Sequence, residues 1–273
     1  MTAREWLFEA RRRLAEAGTP DPETESRWML EDALDVGTAA LRLRLEEVFS
    51  GPPLERAQSW LEERLTGRPL QYVQGYTWFM GHRFLVDERV LIPRQDTETL
   101  CELAISRIGD GQPDVLDLCT GSGAVGISIA LACKGARVYA SDISRDALDV
   151  ARKNGELLGA AVTFLEGDLF AAVQGMRFDL IACNPPYLDA GDMESLQTEV
   201  AHEPALALCG GADGLDFYRR VAREAGAFLR PGGLLLLEAG AGQAQAVAGL
   251  LGGAKLHADL SGTHRVAEKR YSK

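Results

Sequence analysis

Hydrophobic residues recur every three to four positions through roughly the first 65 residues, a spacing that places them on one face of a helix. The first such set is Trp6, Leu7, Ala10 and Leu14. Asp21 followed by Pro22 is typical of a helix N-cap and first turn, which predicts a second helix through Leu34. A third helix is expected over residues 39–48, and a fourth from about Leu54 after a break at residues 50–53.

The hydrophobic pattern changes between residues 69 and 92, where aromatic and β-branched residues are punctuated by Gly75 and Gly81. This favours a β-hairpin or an extended linker. From Asp114 onward, short apolar runs alternate with longer helical patterns. Strands are predicted at residues 114–119, 137–141, 162–165, 178–183 and 234–238, and helices at residues 124–134, 145–158 and 215–229. Such alternation is typical of a mostly parallel, doubly wound α/β sheet.

The chain therefore divides into three predicted parts. We expect a small helical domain over residues 1–68, a hairpin or linker over residues 69–92, and a Rossmann-like domain over residues 93–273. Because an α/β core is complete without the helical part, we expect that part to dock a substrate. Stabilisation or shielding of the α/β domain is the alternative role.

Composition narrows the class of protein. With 273 residues, 46% of them hydrophobic and 25% charged, the chain can bury a globular core. Its net charge of −11 argues against a protein that mainly binds a nucleic-acid backbone. No apolar run approaches the roughly 18–20 residues of a membrane span, and charges interrupt any signal-peptide core near the N-terminus. We expect a cytoplasmic monomer that binds neither membrane nor nucleic acid directly.

Cysteine and histidine usage predicts neither disulfides nor a metal site. The five cysteines include no CxxC pair, which favours reduced thiols. The four histidines never lie three or four residues apart, so we expect no bound metal. Cys119 and Cys183 are candidate thiol nucleophiles, but neither has a histidine nearby in the sequence. Small apolar packing at strand ends is the favoured interpretation of both.

A glycine loop follows the first predicted strand of the α/β domain. Gly121, Gly123 and Gly126 formally match GxGxxG, a pattern that alone is weak evidence for a dinucleotide site with a pyrophosphate at the helix N-terminus. Asp117 ends the preceding strand. Its carboxylate would repel a pyrophosphate, whereas it could attract a cation such as the ammonium group of a methionine moiety.

Two further carboxylates follow the next two predicted strands. Asp142 lies 19 residues after Gly123, where it can accept hydrogen bonds from both hydroxyls of a ribose. Asp168 follows the third strand, where it can border an adenine. Three carboxylates around a glycine turn favour S-adenosyl-L-methionine, which has a ribose and an adenine but carries a sulfonium cation and no phosphate. A dinucleotide site and ordinary strand-end aspartates remain alternatives.

The fourth predicted strand leads into Asn184, Pro185, Pro186 and Tyr187. An amide or aromatic amine attacks a methyl sulfonium poorly, because its nitrogen lone pair is delocalised. The Asn184 side-chain oxygen and the Pro185 carbonyl can each accept one N–H of a substrate NH2, so that the lone-pair face meets the methyl group. The prolines fix the backbone, and the Tyr187 ring can pack on the planar substrate group. Catalysis would then depend on positioning rather than on a strong base.

Taken together, the sequence resembles the HemK-type protein-(glutamine-N5) methyltransferases that modify peptide-chain release factors. The resemblance extends over nearly the whole chain. The segments that carry it are Arg68–Tyr72, Gly75, Phe79, Val90–Arg94, Thr97-Glu98, Asp117–Gly123, Asp142–Ser144, Asn184–Tyr187, Glu203–Leu206, Gly210–Leu215 and Pro231–Gly233.

The resemblance implies a class I S-adenosylmethionine-dependent methyltransferase domain whose substrate is the glutamine of the Gly-Gly-Gln motif in class-1 release factors. The cofactor, released as S-adenosyl-L-homocysteine, is expected to contact Asp117, Cys119, Thr120, Gly121, Ser122, Gly123, Asp142, Asp168, Leu169 and Asn184. The residues expected to hold the glutamine are Arg94, Asn184, Pro185, Pro186 and Tyr187, of which Asn184, Pro185 and Tyr187 are the catalytic candidates.

The sequence departs from the family at three positions of interest. Cys119 stands where glycine is common, Gln95 where proline is usual, and Leu169 where an aromatic residue is found in relatives. Two other functions stay open at this point. One is methylation of an adenine N6 or guanine N2 amino group in nucleic acid, and the other is non-catalytic binding of S-adenosylmethionine.

Overall fold

The structure, a computed structural model, describes residues 1–109 and 111–272, which fall into two compact units. The first unit contains Met1–Gly75 together with the short segment Gln197–His202. The second contains Tyr76–Leu196 and residues 203–272. Among the described residues, no helix is both long enough and apolar enough to cross a membrane.

The first unit is built from helices around an apolar core. They are α1 (Ala3–Glu16), α2 (Pro22–Leu34), α3 (Thr38–Leu43), α4 (Pro52–Leu65) and α5 (Leu70–Gln74). The Asp21 side chain caps α2 by accepting a hydrogen bond from the Thr24 backbone N–H at 3.1 Å, as the Asp-Pro pair predicts. The core consists of buried residues from these helices, among them Trp6, Leu14, Met29, Leu30 and Leu61.

Three boundaries in this unit differ from the prediction. The third helix ends at Leu43 rather than at residue 48, because residues 47 and 49 instead pair with the N-terminal backbone. The fourth helix begins at Pro52, since proline is tolerated in a first helical turn. The helical unit continues past residue 68 to Gly75, because Leu70 of α5 is buried in the helical core.

The segment Gln197–His202 belongs to the first unit through an ion-pair cluster. Arg64 of α4 is only 3% exposed. Its guanidinium donates hydrogen bonds to Glu25 at 2.6 Å and to Glu199 at 2.6 Å. Two carboxylates thus compensate one buried cation, which offsets the cost of desolvating it.

The second unit alternates strands with helices. Its strands are β1 (Tyr76–Phe79), β2 (His82–Leu85), β3 (Asp114–Leu118), β4 (Arg137–Asp142), β5 (Val162–Glu166), β6 (Phe178–Cys183), β7 (Leu229–Glu238), β8 (Lys255–Ala258) and β9 (His264–Arg270). Its helices are α6 (Gln95–Arg107), α7 (Ala124–Ala132), α8 (Arg145–Leu158), α9 (Ala190–Glu194), α10 (Ala205–Leu208), α11 (Asp216–Glu224) and α12 (Ala244–Leu250).

Within the described residues, seven strands form one sheet in the order β5-β4-β3-β6-β7-β9-β8. The pairs from β5 to β7 are parallel, whereas β9 is antiparallel to both β7 and β8. Side chains along the central strands alternate between two apolar clusters: Leu180 and Ala182 join one, and Ile181 and Cys183 the other. Both faces of the sheet are therefore covered, as the apolar strand sequences indicate.

The hairpin β1–β2 is antiparallel and belongs to the second unit. Phe79 and Phe84 are fully buried in the same cluster as residues of α6 and α7. The hairpin is therefore part of the α/β core rather than a free linker. The Rossmann-like class predicted from the sequence is confirmed, but α6, α9, α10, α12 and β8 were not predicted. The helix predicted over residues 215–229 ends at Glu224, because the chain makes a short 3-10 turn there and enters β7 at Leu229.

Candidate active site

A pocket opens at the carboxyl ends of the parallel strands, where open α/β sheets bind their ligands. Eleven of the predicted site residues line it: Arg94, Asp117, Cys119, Thr120, Gly121, Ser122, Asp142, Asp168, Leu169, Asn184 and Pro186. The other three, Gly123, Pro185 and Tyr187, lie next to lining residues in the chain but are not part of the lining. All lining residues belong to the second unit.

Asp117 holds the glycine loop in place. Its Oδ2 accepts hydrogen bonds from the Thr120 hydroxyl at 2.5 Å and from the Gly126 backbone N–H at 2.8 Å. A Cβ at Gly126 would lie 3.0 Å from that oxygen, so glycine permits the close approach of α7. Burial raises the pKa of Asp117 to about 7, although the two hydrogen bonds oppose the shift. The sequence predicts that this carboxylate attracts a cationic group of a ligand, but it does not predict the hydrogen bonds to Thr120 and Gly126.

Two pocket-lining residues adopt backbone conformations that favour glycine. Cys119 has a φ of 62° and Leu169 a φ of 47°, both in the left-handed region. A glycine at position 119 would adopt this conformation without the strain that a Cβ introduces. Such strained backbone is typical of functional sites.

Asp142 presents a carboxylate whose orientation is fixed by the backbone. Its Oδ2 accepts from the Gly121 N–H at 2.9 Å and its Oδ1 from the Ser144 N–H at 2.9 Å. Each carboxylate oxygen keeps a further lone pair that can accept a hydroxyl hydrogen. Burial raises the pKa of Asp142, while the backbone hydrogen bonds lower it. This geometry suits a vicinal diol.

Asp168, which was predicted to border an adenine, lines the pocket and is held by an ion pair. Its Oδ2 accepts a hydrogen bond from Arg220 of α11 at 2.8 Å, and both side chains are substantially exposed. Phe217 of α11 also lines the pocket. Neither Phe217 nor Arg220 could be predicted as a site residue, because a helix far along the chain carries them to the pocket.

Asn184 is joined to two buried side chains from distant parts of the chain. Its Nδ2 donates to the Thr97 hydroxyl oxygen at 3.2 Å, and that hydroxyl donates to Glu238 Oε1 at 3.1 Å. Thr97 is 5% exposed and Glu238 3% exposed. Burial raises the pKa of Glu238 to about 7, against the hydrogen bond from Thr97. Neither residue is assigned to the site from the sequence: there, Thr97 appears only in a segment shared with the family, and Glu238 only as the last residue of a predicted strand.

Cys183 precedes the segment Asn184–Tyr187, and Tyr187 ends it. The Tyr187 carbonyl accepts a hydrogen bond from Gln243 Nε2 at 3.0 Å, and its ring packs against the core on one face of the sheet. Burial raises the pKa of the Tyr187 hydroxyl. Burial also raises the pKa of the Cys183 thiol, with the neighbouring Cys119 contributing. A thiol with a raised pKa is a poor nucleophile, which argues against covalent catalysis by Cys183.

Arg94 is anchored by Glu203, which sequence reasoning did not assign to the site. The buried Glu203 carboxylate accepts from the Ile92 backbone N–H at 3.0 Å and from the Arg94 guanidinium. The Arg94 side chain, which lines the pocket, is therefore held in place through its guanidinium group. In the described part of the chain, no cluster of three or more histidine, cysteine, aspartate or glutamate side chains could hold a metal ion.

Comparison with solved structures establishes the fold. A 16S rRNA methyltransferase from T. thermophilus, solved with AdoMet and guanosine, has a TM-score of 0.52 and 19% identity over 72% of this chain and 50% of that chain. A methyltransferase from Pyrococcus furiosus has a TM-score of 0.52 and 16% identity over 71% of this chain and 91% of that chain. At these identities the likeness shows a methyltransferase fold alone.

Comparison of sequences establishes the family. Residues 5–75 match the PrmC N-terminal domain and residues 101–254 the methyltransferase small domain. The release factor glutamine methyltransferase of Moorella thermoacetica is 44% identical over 90% of this chain and 88% of its own length. That of Deinococcus radiodurans is 40% identical over 99% of both chains. With this identity over almost its full length, the chain belongs to the release factor glutamine methyltransferase family.

Proposed function

We propose that the protein transfers a methyl group from S-adenosylmethionine to the side-chain nitrogen of the glutamine in the Gly-Gly-Gln motif of class-1 release factors. The observation that carries this proposal is the position of Asn184. It lies at the end of β6 on the wall of the pocket, with its amide nitrogen bonded to Thr97. The identity of the substrate is inferred from the family to which the chain belongs.

The pocket offers suitable groups for each part of the cofactor. The Asp142 carboxylate would accept the ribose hydroxyls, because both of its oxygens are held by backbone N–H groups with lone pairs to spare. Leu169 and Phe217 would provide apolar surface for the adenine. The glycine loop, residues 119–123, with Asp117 behind it, would enclose the methionine part. When bound, the cofactor supplies an electrophilic methyl group.

The substrate amide would be held by acceptors on the loop after β6. Asn184 Oδ1 and the Pro185 carbonyl would each accept one N–H of the glutamine side chain. The nitrogen lone pair is then directed toward the methyl group, although amide resonance disfavours attack. Pro186 keeps the loop rigid, Tyr187 would pack beside the planar amide, and Arg94 would contact the backbone of the motif. The N-protonated product is strongly acidic, so solvent can remove its proton.

Methyl transfer measured on competing substrates tests the function directly. The purified chain is incubated with S-adenosylmethionine labelled on its methyl group and with a class-1 release factor, duplex DNA or tRNA. We expect label on release factor alone, and mass spectrometry should place it on the Gly-Gly-Gln glutamine. A release factor with alanine at that glutamine is the matched control. Label on DNA or tRNA, or on the control protein, would contradict the proposal.

Removal of the Asp142 carboxylate should weaken cofactor binding. We expect Asp142→Ala to lower the affinity for S-adenosylmethionine by about 1–3 kcal/mol, or roughly 5- to 150-fold in Kd, through loss of charge-assisted hydrogen bonds. Titration calorimetry measures the change. Asp146→Asn is the control, because Asp146 is an exposed carboxylate outside the pocket. Unchanged affinity, or tight binding of NAD, would refute the assignment.

We assign docking of the release factor to the helical unit, which the sequence predicts over residues 1–68 and which extends to Gly75. No residue of this unit lines the pocket, and a Gly-Gly-Gln tip offers few groups for recognition. The unit exposes large apolar side chains, with Phe8 72%, Leu43 88% and Val48 71% accessible. Binding energy from such remote contacts can position the reacting group.

A further inference from the structure

Three side chains separated by many residues form one hydrogen-bonded series. Asn184 follows β6, Thr97 lies in the first turn of α6, and Glu238 ends β7. The Asn184 amide donates to the Thr97 oxygen at 3.2 Å, and the Thr97 hydroxyl donates to Glu238 Oε1 at 3.1 Å. Only Asn184 and Thr97 reach the pocket wall, and Glu238 lies behind them.

The direction of the hydrogen bonds in this series follows from the number of hydrogens available. An ionised carboxylate can only accept, so Glu238 takes the single hydroxyl hydrogen of Thr97. The Thr97 oxygen then has only lone pairs to offer to Asn184. It can bond the NH2 end of the Asn184 amide but not the oxygen end. The oxygen end is therefore left for the pocket.

We propose that Thr97 and Glu238 are positioning residues that fix which end of the Asn184 amide faces the substrate. This inference rests on the proposed function. The two ends of an asparagine amide have nearly the same shape, so packing alone distinguishes them poorly. With its oxygen toward the pocket, Asn184 accepts a substrate N–H. In the reverse orientation, one N–H donor would face another, and the substrate amide would lose an acceptor.

The burial of Glu238 supports a functional role. One of its oxygens, Oε2, is buried and has no hydrogen-bond partner within residues 1–109 and 111–272. An unpaired buried polar atom lowers stability, and an apolar side chain at this position would avoid that cost. The protein nevertheless places a carboxyl group where its other oxygen reaches Thr97. Fixing the direction of the Thr97 hydroxyl gives a reason for this choice.

Variants at Thr97 test the proposal. Thr97→Val keeps the shape of the side chain but removes the acceptor for the Asn184 amide. We expect kcat to fall about 10-fold or more, which is the rate effect expected from losing one well-placed hydrogen bond. The Kd for S-adenosylmethionine should stay within about threefold, since the cofactor contacts lie elsewhere. Thr97→Ser restores the hydroxyl and should recover most of kcat. Thr163→Val, at an exposed position of β5 outside the pocket, controls for the substitution type.

The pH profile gives a separate test of Glu238. At a pH below the Glu238 pKa of about 7, the carboxyl group is protonated and no longer forces the Thr97 hydroxyl to donate toward it. We expect kcat at saturating cofactor to fall severalfold from about pH 8 to about pH 6. The side chain in Glu238→Gln is neutral at every pH. The kcat of this variant should therefore be lower than that of the unaltered protein at about pH 8 and should not show the further fall toward about pH 6 that protonation of Glu238 causes. The titratable and charged groups that face Glu238 are Asp96, Cys183, Tyr187, Tyr218 and Arg265.

A measurement without turnover separates this inference from the proposed function. The sequence contains two asparagines, Asn154 and Asn184, so ¹⁵N-asparagine labelling gives two side-chain NH2 signals. Asn154 donates to the Leu85 and Ser122 carbonyls and serves as an internal reference. In Thr97→Val we expect faster hydrogen exchange at the Asn184 NH2 group and no change at Asn154.

The outcomes distinguish the two hypotheses. If release factor is not methylated while the Asn184 NH2 signal responds to Thr97→Val, the proposed function fails and the hydrogen-bonded series remains. If release factor is methylated and Thr97→Val keeps full kcat, the positioning role is wrong. Equal loss in Thr97→Val and Thr97→Ser, or a Glu238→Gln pH profile that coincides with that of the unaltered protein, would also overturn it.

Discussion

Replacing Asn184 by alanine is expected to reduce methyl transfer to release factor by about 100-fold or more, the usual effect of removing one preorganised polar partner from an active site. Asn184 is the side chain at the end of β6 whose oxygen is left to face the pocket. Without it, the substrate NH2 group keeps only a backbone acceptor, so the nitrogen is no longer held with its lone pair toward the methyl group.

The loss should be in kcat rather than in cofactor binding. The Kd for S-adenosylmethionine should change by less than about fivefold, because Asp142 and the glycine loop remain intact. Single-turnover transfer of labelled methyl groups and titration calorimetry measure the two quantities. A near-normal rate for Asn184→Ala would show that this side chain does not hold the substrate.

The positions of the strands could be predicted because each central strand is short, apolar and bounded by turn residues. β6 is the clearest case: its range, Phe178–Cys183, agrees with the prediction. The polar residues at the strand ends could be predicted with them. Asp142 ends β4 and Asn184 follows β6, the strands on either side of β3. Parallel strands bring such residues to one edge of the sheet.

The supporting contacts of the site could not be predicted because they depend on tertiary packing. Thr97 lies 87 residues from Asn184 and 141 residues from Glu238. No local pattern in the sequence connects these three positions. The pairing of Asp168 with Arg220 was missed for the same reason, since the two residues lie 52 positions apart.

Backbone conformation was the other feature that local patterns did not reveal. Cys119 and Leu169 adopt positive φ values, although neither residue type signals this conformation. Glycine at such a position would have predicted a left-handed turn. The positive φ of Cys119 therefore became visible only in the structure.

The second large effect is expected from removing the helical unit. A chain that begins at Tyr76 should methylate intact release factor about 100-fold less efficiently, if remote contacts supply a few kcal/mol toward positioning the glutamine. The hairpin must remain in this chain. Phe79 and Phe84 are buried in the core of the second unit, so a chain beginning at residue 88 would expose that core.

Two comparisons show whether such a loss comes from docking. A short Gly-Gly-Gln peptide should be a poor substrate for both chains, and its rate should change little, because it cannot reach remote contacts. The Kd for S-adenosylmethionine should also be similar, since the pocket is lined by the second unit alone. Glu62→Gln in the full chain is the matched control: it breaks the exposed pair with Arg13 but keeps the helical unit.

The ratio of the two substrate rates decides between docking and shielding. If the helical unit binds release factor, its removal lowers kcat/KM for the intact protein and leaves kcat/KM for the peptide nearly unchanged. If the unit instead stabilises or shields the catalytic unit, both values fall by the same factor, because the damage lies at the pocket that both substrates share. Glu62→Gln should keep the preference for intact release factor, since it leaves the exposed apolar side chains Phe8, Leu43 and Val48 in the chain. An equal loss for peptide and protein would therefore refute the docking role and assign the unit to stability.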